Sequence, residues 1–290
     1  MRSEQEMFDL ILGVAKADTR VKAVYMNGSR TNSNADKDIF QDYDIVYVVE
    51  ETESFQEDDE WIKQFGEPLY MQFPENSPFY PADRHNSYGW LIQFTDGNRL
   101  DLHVETVAHT LEHIEEDSLC IVLLDKEGIL PAIPPSTDKN YWVTHPTEEE
   151  FLSSCNEFWW CLNNVAKGLW RGEITYVQDM IADPIRGELK RMLSWKIGLL
   201  TDFSVSIGKS GKYMHRYLPA EDWQRYLTTY SSADIDETWD AVFDMCRFFE
   251  EVALDVAAQL GYTYNTAEAQ GSFGFLQHVR QLPKDAKEVY

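Results

Sequence analysis

The sequence is poor in positive charge. Its 25 Lys and Arg residues stand against 50 Asp and Glu, for a formal charge of −25. Binding to a polyanion is dominated by Lys and Arg contacts to phosphate, so this balance argues against DNA or RNA as a partner. It suits a small polycation, which a negative cleft concentrates and captures faster. Paired cysteines are also lacking. Cys120, Cys155, Cys161 and Cys246 show no Cys-x-x-Cys spacing and sit in apolar or aromatic runs. That pattern excludes a disulfide framework or zinc ribbon and fits buried thiols in a reducing compartment. No uninterrupted apolar stretch is long enough to cross a bilayer, and the polar start Met1-Arg2-Ser3-Glu4-Gln5-Glu6 has no signal-peptide core. A cytoplasmic protein without a membrane partner is expected.

What is present is enough apolar material for a large core. With 43% hydrophobic and 13% aromatic residues in 290, the chain is long enough for one big domain or two ordinary ones, and two are expected. The chemistry concentrates between residues 26 and 49. An apolar run, Val21 to Met26, ends at Asn27-Gly28-Ser29-Arg30, and a second run, Tyr43 to Val49, begins beside Asp42 and Asp44. Side chains alternate along a strand, so the two aspartates share a face while Tyr43 and Ile45 point the other way. Two carboxylates on one face make a hard-oxygen site suited to Mg²⁺, which keeps its other positions for water and substrate phosphates. Gly28 lets the backbone approach a ligand, the N–H groups after it can point at phosphate oxygens, and Ser29 and Arg30 add a hydroxyl and a positive charge. Together these residues describe a site for a nucleoside triphosphate and its metal.

The rest of the chain reads as strands followed by helices. Ser3 with Glu6 forms a capping-box pattern before a helix over about Glu4 to Lys16, with Met7, Leu10, Ile11 and Val14 on one stripe. Strands are expected at Val21 to Met26, Tyr43 to Val49, Leu69 to Phe73, Trp90 to Phe94, Leu100 to Glu105 and Cys120 to Leu124. Thr95-Asp96-Gly97-Asn98 is a hairpin signal between two of them. The acidic run Glu51 to Glu60 reads as a solvated surface, Phe73 to His85 as a loop and Val107 to Glu116 as a helix. Three prolines between Ile129 and Pro135 rule out regular helix there and mark the boundary between residues 1–135 and 136–290. Beyond it, Thr147 to Trp170, Ile174 to Leu200, Glu221 to Thr229 and Ile235 to Leu260 read as helices, the first opened by a second capping box, Thr147 with Glu150. The expected class is α+β: an N-terminal mixed β-sheet domain with flanking helices, then a C-terminal helical bundle.

Several stretches resemble one family. Gly28-Ser29 followed by Asp42-Tyr43-Asp44-Ile45 is similar to the signature of the nucleotidyltransferase superfamily related to DNA polymerase beta. Within it, Met26 to Arg30, Arg99-Leu100-Asp101-Leu102, Leu123 to Gly128 and Asp183-Pro184-Ile185-Arg186 followed by Met192-Leu193-Ser194-Trp195 resemble the aminoglycoside 6-adenylyltransferases. The resemblance implies that Asp101, on a neighbouring strand, joins Asp42 and Asp44 as a third metal ligand and catalytic residue. It also implies a reaction. Gly28, Ser29 and Arg30 would hold the triphosphate of ATP, a hydroxyl of the acceptor would attack the α-phosphate, and pyrophosphate would leave. Of two metal ions, one would lower the pKa of the attacking hydroxyl and the other would neutralise the leaving oxygens. The implied acceptor is streptomycin and the implied oxygen its 6-hydroxyl, an antibiotic-resistance reaction.

The general base stays open at this level. Asp179 and Asp183 stand four apart on one helical face, a spacing at which like charges repel; Asp183 leads through the resemblance, with Asp179 and Glu188 as rivals. An alternative for Asp183 is pairing with Arg186 across one turn. Ile207-Gly208-Lys209-Ser210-Gly211-Lys212 lacks phosphate-loop spacing and follows no evident strand. Lys209 and Lys212 are therefore either contacts to triphosphate oxygens or parts of a solvent-facing loop. Another acceptor, or a non-catalytic nucleotide-binding protein, is the competing reading.

Overall fold

A computed structural model describes residues 1–290. The chain forms two compact units, Met1–Asn140 and Tyr141–Tyr290. The expected class is the one observed: a mixed sheet with flanking helices, followed by helices alone.

The first unit is a six-stranded sheet of β1 (Val21–Asn27), β2 (Tyr43–Val49), β3 (Pro68–Gln72), β4 (Ser87–Phe94), β5 (Arg99–Thr106) and β6 (Cys120–Asp125). Its order is β3-β4-β5-β2-β1-β6. All neighbours are antiparallel except β2 and β5, which run parallel at the centre. Helix α1 (Glu4–Ala17) opens with the capping box, Ser3 and Glu6 each bonding the other's backbone. It buries Met7, Ile11 and Ala15 on the face lined by Ile45, Tyr47, Leu100, Leu102 and Trp90. A short turn of helix, α2 (Glu53–Gln56), adds Phe55 to that core. The other face is thinner. Ala23, Tyr25, Val46 and Val48 pack with Ile114 and Cys120, next to α3 (Val107–His113) and the proline-rich stretch carrying Ile129, Leu130 and Ile133. That cover stops short of the β2 start, where Asp42 and Asp44 remain only half-buried.

The second unit holds α4 (Glu148–Arg171), α5 (Ile174–Met180), α6 (Arg186–Thr201), α7 (Ala220–Thr228), α8 (Ile235–Leu260) and α9 (Thr266–Gln281). Thr147 and Glu150 form the second capping box. Phe158 on α4 stacks on Phe249 of α8 with ring centroids 3.7 Å apart, and Trp159 meets the same ring edge-on. Each such ring pair contributes about 0.5–1.5 kcal/mol beyond its buried area. Two features depart from the expected helices. Helix α9 was not expected, and its interior Gly271 and Gly274 weaken the local helical signal. The stretch Ile174 to Leu200 is helical, but it widens into a π turn at Ile181–Ile185 around Pro184, whose missing N–H cannot continue the α ladder. No helix is long and apolar enough to cross a membrane, and all four cysteines are free and buried.

Candidate active site

Strand pairing builds the site. In the antiparallel β1–β2 pair Asn27 lies opposite Asp44, and in the parallel β2–β5 pair Asp44 lies opposite Asp101. Directly opposed residues present their side chains on the same face, so the carboxylates of Asp44 and Asp101 meet. Asp42, one residue before β2, joins them, and one oxygen from each of the three lies within 4.8 Å of the others. Gly28 closes the arrangement from β1. Its backbone is at φ 78°, ψ −157°, and a Cβ there would stand 2.2 Å from Oδ2 of Asp44. Only glycine adopts that conformation without strain, and only a missing Cβ leaves the carboxylate its place. A single turn, Ser29–Thr31, follows, its first bonds donated by Thr31 and Asn32 to Gly28 and Ser29.

The three acids repel each other. Burial, then the charges of Asp42 and Asp101, raise the Asp44 carboxyl to about 7, partly offset by Arg99 and Arg30. A carboxylate held this way is stabilised by a cation at its side. Asn27, opposite Asp44, also has a buried side-chain oxygen without a hydrogen-bond partner. Three hard oxygen donors that converge on one point fit a magnesium-type ion.

The two arginines nearby behave differently. Arg30 is tied down: Nε and Nη2 donate to the carbonyls of Asp42 (2.8 Å) and Gln41 (2.7 Å), and Nη1 donates to Glu4 (2.9 Å). Its guanidinium also stacks 3.6 Å from the centre of the Tyr43 ring. The guanidinium expected at the phosphates thus holds the loop that carries Asp42. Arg99, which sequence reasoning did not single out, grips Asp101 with two bonds and approaches Asp42. Its signal was legible, since Arg-x-Asp on a strand puts both side chains on one face. Further along that face, Glu105 accepts from Tyr25 Oη (2.7 Å), and the His103 ring lies over Gly89, 3.9 Å from Glu75.

The remaining sequence-derived residues belong to the helical unit. Asp183 is exposed in the π turn, and Asp179 is exposed on α5. Arg186 does not pair with Asp183. It is buried, donates to the hydroxyl (2.6 Å) and carbonyl (3.1 Å) of Thr229, and stacks on Tyr230. Glu188 is buried as well, accepting from Ser154 (2.6 Å) with Arg191 3.3 Å away. Lys212 is exposed after a turn at Lys209–Gly211, its ammonium 4.9 Å from the Tyr213 ring centre.

The sequence was also compared with known proteins. The family model described as streptomycin adenylyltransferase matches residues 1–279. The chain is similar to an aminoglycoside 6-adenylyltransferase of Campylobacter jejuni, 40% identical over 264 residues that span 91% of each chain. It is 39% identical over 265 residues to one of Bacillus subtilis, spanning 91% of this chain and 93% of the other. A crystal structure of an aminoglycoside 6-adenyltransferase from Bacillus subtilis matches 97% of this chain and all of its own, at 34% identity and a TM-score of 0.49. A family match over almost the whole length and relatives near 40% identity make this chain a member of the streptomycin adenylyltransferase family, and an enzyme of the nucleotidyltransferase type.

Proposed function

We propose that this enzyme transfers AMP from MgATP to a hydroxyl of an aminoglycoside, the 6-hydroxyl of streptomycin, releasing pyrophosphate and inactivating the antibiotic. The observation that carries this reading is the convergence of Asp42, Asp44 and Asp101 beside the Gly28 turn. These three carboxylates would hold Mg²⁺, which when bound polarises the α-phosphate and eases loss of pyrophosphate. The chain's own residues do the positioning. Ser29 and the N–H groups at the start of its turn face the triphosphate, and Gly28 keeps Asp44 close to them. Arg30 is assigned to fixing the Asp42 loop, since its donors are already committed there. Lys212 is assigned to the triphosphate as an exposed cation.

In this reading the first unit carries the nucleotide chemistry and the helical unit binds the cationic acceptor, whose charge complements a chain of −25. Nucleic acid is not a partner in this reading. The reaction is placed in the cytoplasm, where ATP is available. Among the candidates for general base, Asp183 is favoured because its carboxylate is exposed in a π turn, a form that recurs at functional sites, while Glu188 is buried against Ser154.

Pyrophosphate release from MgATP tests the assignment. It should depend on streptomycin and vanish in Asp42→Asn. Turnover with a different aminoglycoside alone would move the acceptor, and no turnover with any aminocyclitol would remove the assignment altogether. Asp183→Asn should lower kcat by about 10²-fold or more while leaving the affinity for MgATP nearly unchanged. An unaltered kcat would take the role of base away from Asp183.

A further inference from the structure

Arg99 opens β5 two residues before Asp101, and strand alternation brings both side chains to the face of the acidic triad. Its guanidinium donates from Nε to Oδ1 of Asp101 (2.8 Å) and from Nη2 to Oδ2 (2.6 Å), and Nη1 lies 3.6 Å from Oδ2 of Asp42. A planar fork on a carboxylate is a strong and directional contact. Arg30 is held by backbone carbonyls and an aromatic ring, with its side chain only 10% exposed. Arg99 has neither anchor in its pairings with the triad. Its side chain is 45% exposed, and these partners are two of the carboxylates a divalent ion would need.

We infer that Arg99 is an exchangeable counter-ion: it neutralises Asp101 and Asp42 in the metal-free enzyme and moves to the triphosphate when metal and nucleotide bind. This rests on the nucleotidyltransferase reading. The physical reason is competition for the same oxygens. Both oxygens of Asp101 accept from the guanidinium, and a divalent ion bound to either would place two positive charges beside it in a partly buried site, where water screens poorly. A triphosphate offers the displaced fork a bidentate anion. After the exchange each cation still faces an anion. Metal alone must displace Arg99 without giving it a new partner, whereas metal with nucleotide provides one. The two ligands therefore bind with positive coupling, and Arg99 carries part of it.

Calorimetric titration of the whole chain with Mn²⁺ alone, and separately with MgATP, tests this. Arg99→Ala is expected to bind Mn²⁺ alone about tenfold more tightly than wild type, and MgATP about tenfold more weakly. Arg99→Lys keeps the charge without the fork and should fall between the two on both measurements. If Arg99→Ala fails to give a native melting transition, Arg99→Lys carries the test with the same signs. A guanidinium that merely orients Asp101 would give weaker Mn²⁺ binding when removed, and that result overturns the exchange. Unchanged Mn²⁺ or MgATP affinity in the variants overturns it too. Wild-type protein that binds Mn²⁺ but no MgATP would sink the nucleotide reading itself, a failure visible before any variant is measured.

Discussion

Asp44→Asn is expected to lower pyrophosphate release by about 10²–10³-fold or more while raising the melting temperature of the metal-free protein. The two effects have one cause. Asp44 is half-buried beside two other carboxylates, and its carboxyl is raised from 3.8 to about 7. Between those values the native state keeps the proton and the unfolded chain releases it. Stability from this group is therefore complete below about pH 4 and is lost as pH rises toward 7. Asparagine carries no charge at any of these pH values, so it escapes the loss. At pH 8 without metal, the variant should melt a few degrees above wild type, each kcal/mol relieved being worth about 2–4 °C in a chain of this size. The difference should shrink as the pH is brought down through 7. Adding Mg²⁺ at pH 8 should stabilise wild type and leave the variant almost unmoved. A variant that melts no higher than wild type at pH 8, or that keeps its turnover, would show that Asp44 is neither strained by its neighbours nor needed by the reaction.

Gly28→Ala should damage the same site with the opposite sign on stability. The added methyl would stand 2.2 Å from Oδ2 of Asp44, and the residue's φ of 78° with ψ of −157° is nearly closed to any other side chain. The backbone strain costs about 1–3 kcal/mol, and relieving the clash must push Asp44 from its neighbours or Gly28 from the turn. A displacement of about 1 Å at a reacting centre costs about 10²-fold in rate, so kcat should fall by at least that much. Melting and turnover measured on one preparation separate the two substitutions: Asp44→Asn is inactive and more stable without metal, Gly28→Ala inactive and less stable. Wild-type turnover in Gly28→Ala would mean that the close approach of β1 to Asp44 has no part in the chemistry.

Much of the fold was legible. The capping pairs Ser3 with Glu6 and Thr147 with Glu150 start helices where expected, because both halves of each device are local in sequence. The Asp96-Gly97 hairpin is legible for the same reason, Gly97 sitting at φ 92° in the tight turn. Helix α9 was missed because Gly271 and Gly274 weaken its propensity, while its stability comes from packing Ala269, Leu276 and Val279 into the helical core. The alternative in which Asp183 pairs with Arg186 across one turn does not form, because the chain folds Thr229 and Tyr230 against the guanidinium instead.

The candidate site divides along the same line. That a glycine bend is followed by two acids at the mouth of a strand can be read from residue order, because side-chain direction along a strand follows from chirality and pleat alone. Family likeness pointed to Asp101, but its position beside Asp44 comes from the parallel pairing of β2 with β5, elements far apart in the chain. The commitment of Arg30 to backbone carbonyls and of Arg99 to Asp101 was likewise settled by tertiary structure. A charged side chain takes whichever partner the fold brings within reach with the least loss of solvation, and that choice is made by distant segments packing together.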